Sequence, residues 1–244
     1  MGTWGAGILQ NDGAQDSLVE AAGEIEQAIT AIAEDGGKES WPRLLAGIGL
    51  LVQFSPYSLS AENPFSAVLA EAIERHRPHM TGVEGELAQV VDALAERREP
   101  AYDVIKFPAA LESALHGPEA STFPVQKTWA RPPDGCFEDE RAKAFLQEFA
   151  DRRITKVEED FAQEEAISDL CRESFAMGDF ALLLILDSIE VDPATLERWR
   201  DAWRQGRHEP DPTEASFYEE YDACLESAFE YGIARFSNAR RGDG

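Results

Sequence analysis

Cationic side chains are scarce. There are 22 lysines and arginines against 47 aspartates and glutamates in 244 residues, a formal net charge of −25. Binding to DNA or RNA phosphates rests on Lys and Arg displacing counterions, so nucleic acid is excluded as a first expectation. An anionic membrane surface is disfavoured for the same reason. Long apolar runs are lacking too. The longest, Leu44–Val52 and Phe180–Leu186, fall well short of the roughly 20 residues that span a bilayer. Met1–Gln10 contains no Lys or Arg and does not read as a secretory signal. The cysteines are only Cys136, Cys171 and Cys224, odd in number and with no CxxC pair. They read as free buried thiols in a reducing, cytoplasmic setting.

Catalytic signatures are missing as well: no GxGxxG, no P-loop, no GxSxG and no HExxH. None of the four histidines, at 76, 79, 116 and 208, follows a glutamate at the three-residue spacing of di-iron bundles. No cofactor or metal is expected. His76-Arg-Pro-His79 is the only close histidine pair, and Pro78 places it on a turn.

What the chain has is helical periodicity and enough apolar residues, 43%, to bury a core. Leu18, Ala22, Ile25, Ile29 and Ile32 form one stripe on a helix that Asn11 or Asp12 caps and Asp35-Gly36-Gly37 ends. Further helices are expected near 41–54, 64–76, 83–98, 139–177, 192–206 and 214–235, with Asp192 as a cap followed by Pro193. Tyr102–Phe107 reads as a short strand or one more helical turn. Phe180–Ser188 is too short to assign by period, and residues 238–244 read as a frayed tail. The expected fold class is all-α, a helical bundle.

An internal repeat is suggested by register. Gly7–Glu20 lies on Gly135–Glu148 at a constant offset of 128, with Gly, Ala, Leu and Glu matched at 7/135, 14/142, 18/146 and 20/148. The expected organisation is two similar helical halves, residues 1–116 and 135–244, joined by a connector at 117–134.

The opening MGTWGAGILQNDGAQD resembles a small bacterial family of unknown function whose members begin MGxWGxGxxxNDxAxD. The match covers about sixteen residues, with Ser17 where the family has an aromatic. The segment 135–148 resembles a degraded second copy, with Ala144 in place of the last Asp. The resemblance implies a compact helical fold and brings no catalytic residues. Physically, Gly2, Gly5 and Gly7 let an N-terminal arm approach other backbone closely, and Trp4 can plug a groove between helices. Trp4, Asn11, Asp12 and Asp16 are the motif's candidates for binding.

The acidity suits a basic protein partner drawn in by a long-range field. Residues 1–130 carry −11 and residues 131–244 carry −14, so charge alone does not locate an interface. Glu158, Glu165, Glu214, Tyr218, Tyr221 and Asp222 mix acids with aromatics and are the candidate partner face. The function expected is a non-enzymatic protein-binding module, in its most concrete form an immunity or inhibitor protein that neutralises a basic toxin. A hydrolase or ligand-binding protein with a pocket between the halves is the alternative, with Asp12, Asp16, His76 and Glu158 as its candidates. A nucleic-acid mimic is a third reading.

Overall fold

Asn11 starts the first helix. Its side-chain oxygen accepts the Ala14 backbone N–H at 2.7 Å, while its amide nitrogen donates to the Ile8 carbonyl at 3.0 Å. One buried side chain thus caps the helix and fixes the chain that enters it. In the computed structural model, residues 5–117, 129–162, 175–206 and 215–242 are described. Among them are nine α-helices: α1 (Asp12–Asp35), α2 (Trp41–Phe54), α3 (Phe65–His76), α4 (Gly85–Ala95), α5 (Ala109–His116), α6 (Glu140–Ala162), α7 (Phe175–Ile185), α8 (Pro193–Gly206) and α9 (Ala215–Gly242). The fold is all-α. Two-residue strands β1 (Val104–Ile105) and β2 (Trp129–Ala130) make one antiparallel pair. Among the described residues, no helix is long and apolar enough to cross a membrane.

The arm before α1 docks against α5. Ile8 and Leu9 donate their N–H groups to the carbonyls of Ala114 and Leu115 at 3.0 and 3.1 Å. Gly7 is required there, since a Cβ would sit 2.4 Å from the Leu115 carbonyl oxygen. Trp4 lies outside the described residues.

Helices α2 and α7 form the centre. Apart from Arg43, every residue of α2 is buried, as befits a helix apolar all round. Gly47 lets α2 press on Ile29 of α1, and Gly49 lets it press on Cys136. Helix α7, whose period was ambiguous in sequence, is buried from Ala176 to Ile185. Helices α1 and α6 each pack on both α2 and α7, closing a four-helix ring; α3 adds to α1 and α4 to α3, while α9 covers α8 and α5. A single hydrophobic cluster runs through this assembly from Ile8 to Phe236 and takes in residues from both expected halves.

The helix order echoes the repeat. Asp12 and Glu140 begin α1 and α6, 128 residues apart, and Phe65 and Pro193 begin α3 and α8 at the same spacing. The pairing of α1 with α2 recurs as α6 with α7, and that of α1 with α7 as α6 with α2. Asp139 stands at the start of α6 where Asn11 stands at the start of α1. Its Oδ1 accepts the Arg141 backbone N–H at 2.8 Å, and the Arg141 guanidinium clamps both carboxylate oxygens.

Several expectations change. The α1 stripe passes through Ser17 and Ala21, with Leu18 only half-buried, because Gly178 of α7 abuts Ala14 and Ser17. Helix α4 is shorter than 83–98, starting at Gly85 (φ 59°) and ending before Arg97 (φ 54°). The irregular stretch after Ala101 contains the unforeseen helix α5. Within the helical stretch expected over 139–177, α6 and the start of α7 are described, and residues 163–174 lie outside the described residues, as does most of the connector. Helix α9 runs on to Gly242 through the tail expected to fray.

Gly178 allows the closest approach in the ring: a Cβ there would lie 2.4 Å from the Ala14 carbonyl oxygen and 2.6 Å from Ser17 Cβ. Gly178→Ala is expected to destabilise by about 1–3 kcal/mol. Gly23→Ala, whose Cβ would meet nothing within 4 Å, is expected to be neutral or to add up to about 1 kcal/mol through helix propensity. Urea unfolding of both variants checks the contrast. A second expectation concerns Asp139, whose carboxyl the Arg141 side chain holds down at about 2. A depressed acid stabilises the fold above its unfolded value, roughly 3.9, and that contribution is lost as pH falls through about 2. Arg141→Ala should move the Asp139 titration upward when followed by carboxyl NMR.

Candidate functional site

The residues singled out in sequence separate into distinct places. Asn11 is buried and occupied as the α1 cap, Asp12 lies in the first turn of α1, and Asp16 is exposed one turn further on. His76 is fully buried at the far end of α1. Its Nε2 lies 3.2 Å from the Ile32 carbonyl oxygen and serves as a donor there, while Arg75 donates to Ala33. Twenty residues of helix, about 30 Å, separate Asp12 from Ile32. Glu158 is half-exposed on α6 and pairs with Arg198 of α8 at 3.1 Å. These four candidates for a hydrolytic or ligand site therefore do not converge.

The proposed acidic-aromatic face is also divided. Glu165 and Glu214 lie outside the described residues. Tyr218 and Asp222 are half-buried on α9. Tyr221 is 0% exposed, stacked on Phe217 with centroids 6.4 Å apart, and belongs to the core rather than to a surface. The outer side of α9 instead exposes Glu219, Glu220 and Glu230, and α9 has no Lys or Arg before Arg235. Exposed acids continue elsewhere, with Glu34, Glu62, Glu84 and Glu99.

Cations offset only part of this surface, where most of them pair with carboxylates of the same chain. Among the residues whose side chains are described, which leaves out Arg240 and Arg241, the lysines and arginines other than Lys38, Arg97 and Lys106 lie within 4 Å of a carboxylate of the same chain; Arg77–Asp92, Lys143–Glu140 and Arg204–Glu226 are examples. The outward field is left to the acids.

The most consequential polar group is internal. Arg153 of α6 is 0% exposed. Its Nη1 donates to Asp179 of α7, 2% exposed, at 3.0 Å, and its Nη2 donates to Glu24 of α1. Lys156 joins Glu24 at 3.2 Å and also reaches Glu20, and the Arg153 guanidinium lies 5.2 Å from the Phe149 ring centroid. Burial pushes Asp179 above the usual carboxylate range, only partly opposed by Arg153. Burial pushes Glu24 the same way, but Arg153 and Lys156 together outweigh it and hold that carboxyl low. Sequence reasoning passed over this network. The signal was present as two breaks of opposite sign: Arg153 interrupts the stripe Leu146, Phe149, Val157, and Asp179 interrupts the apolar run Phe175–Leu186. In the repeat register Arg153 answers to the buried Ile25.

The thiols described offer no nucleophile. Burial pushes Cys136 up to about 12 and Cys224 up to about 11. Among the described residues, no group of three or more His, Cys, Asp or Glu side chains is placed to hold a metal ion. Comparison with known family models, curated proteins and solved structures gave no match.

Removing one partner of a buried ion pair strands the other, which costs about 3–5 kcal/mol. Arg153→Met is expected to destabilise by that order. Adding Asp179→Leu to it should recover most of the loss, since an apolar pair of similar size needs no compensation. Denaturant unfolding of the two variants reads the difference.

Proposed function

We propose that this chain is a non-enzymatic module that binds a basic protein, acting in the cytoplasm as an immunity or inhibitor protein that neutralises a cationic toxin. The observation that carries the reading is the one-sided use of charge. Most cations pair within the chain, while exposed carboxylates such as Glu219, Glu220, Glu230, Glu62 and Glu84 have no cation partner among the described residues. A field of that sign raises the encounter rate with a cationic macromolecule and repels anionic ones. Buried thiols without a disulfide between Cys136 and Cys224 accord with a reducing compartment.

The test is affinity capture from the source cells, identification of the bound protein, and reconstitution with that purified protein across a salt series. The reading expects a basic partner whose affinity falls steeply as ionic strength rises from about 0.01 M to about 0.15 M, where the screening length drops from ~30 to ~8 Å. A partner with no basic surface, or no binding even at the lowest salt, contradicts it.

A further inference from the structure

Between α4 and the segment that follows it lies a cleft of about 360 Å³, bordered by Glu86, Gln89, Asp92, Arg98 and Glu99 and floored by Val90, Ala93 and Pro100. The floor residues are buried, whereas Gln89, Asp92, Arg98 and Glu99 are exposed. The size suits a single inserted side chain, being at the small end of ligand pockets. The far wall is held by a tight helix end. Arg97 takes a left-handed conformation (φ 54°), a place usually given to glycine, and the Arg97 and Arg98 N–H groups donate to the carbonyls of Leu94 and Ala93 at 3.0 and 2.8 Å. This turns Arg98–Ala101 back along α4 and fixes the cleft before any partner arrives.

Its charge is unbalanced. The Arg98 guanidinium is occupied by Glu96 at 2.6 Å, and Glu96 is not part of the cleft. Asp92 is occupied by Arg77 at 3.1 Å. Glu86 and Glu99 have no cation partner among the described residues, and both line the cleft, one from α4 and one from the segment after it.

We infer that this cleft is the socket for one arginine or lysine side chain of the basic partner, its aliphatic stem against Val90, Ala93 and Pro100 and its charged head between Glu86 and Glu99. Apolar floor plus acidic rim matches the two ends of such a side chain, which buries its methylenes and keeps its cation paired. The inference rests on the proposed binding of a basic protein and gives that reading a location that net charge alone does not provide.

The experiment is a ¹H–¹⁵N titration of the full chain with a hexa-arginine peptide at about 0.15 M salt, where long-range attraction is largely screened. Three proteins are compared: the natural chain, Glu86→Gln/Glu99→Gln, and the charge-matched Glu34→Gln/Glu62→Gln, with helicity checked by circular dichroism. The largest shifts in the natural chain are expected within residues 86–101. The cleft variant should bind about fivefold or more weakly, a loss in keeping with a close charge pair, and the matched variant less than about twofold. Equal weakening in the two variants, or shifts centred elsewhere in the natural chain, overturns the socket and leaves the basic-partner reading standing. Absence of binding by the natural chain even at about 0.01 M salt overturns both.

Discussion

One guanidinium without solvent, Arg153, joins three helices that are far apart in sequence. It reaches Asp179 on α7 and Glu24 on α1 from its own place on α6. A cation in that position is tolerable only if both carboxylates stay in reach, so α1, α6 and α7 cannot separate without stranding charge in an apolar interior. Gly178, one residue before Asp179, lets α1 come close enough for the arrangement to close. The network is a constraint on register more than a source of net stability, because desolvating the ions offsets much of what their attraction contributes.

This constraint distinguishes α1 from α6, which each pack on both α2 and α7. Where α6 crosses α2, contact is apolar and aromatic, with Phe54 stacked on Phe149 at 5.9 Å. Where α1 crosses α7, contact is polar at Ser17 and Asp179. At the 128-residue offset Ile25 of α1 answers to Arg153 of α6, a hydrophobic residue against a charged one. Outside the ring the cations pair along the surface, with Arg77, Lys143 and Arg204 about half-exposed beside their carboxylates, and the excess of acids over bases sets the outward field.

Much of the fold was legible because local rules decided it. Asn11 and Asp192 cap helices where their residue types and the following pattern said they would, the Asp192 side chain accepting the Ala194 N–H at 3.1 Å. Gly36 ends α1 in a left-handed turn, and Leu196, Trp199 and Trp203 are the buried face of α8. The candidate site was less legible for a physical reason. Which acids are free depends on where distant cations land, and that is tertiary information: Glu158 looked available until Arg198 came beside it, and Tyr221 looked like a surface anchor until α9 turned it inward. Helix α5 escaped notice because the prolines around it signal loops, and the arm that docks on it supplies contacts from a hundred residues away. Arg153 and Asp179 were readable only as paired exceptions to apolar stripes on two different helices.

The central claim is that α1, α2, α6 and α7 are one cooperative core spanning both halves, held in register through Arg153. Native-state amide hydrogen exchange tests it most directly. The account predicts that the inner amides of these four helices share the highest opening free energy and open together, with the outer helices opening earlier. Separate opening of residues 5–117 and 129–242, each with its own free energy, would contradict it.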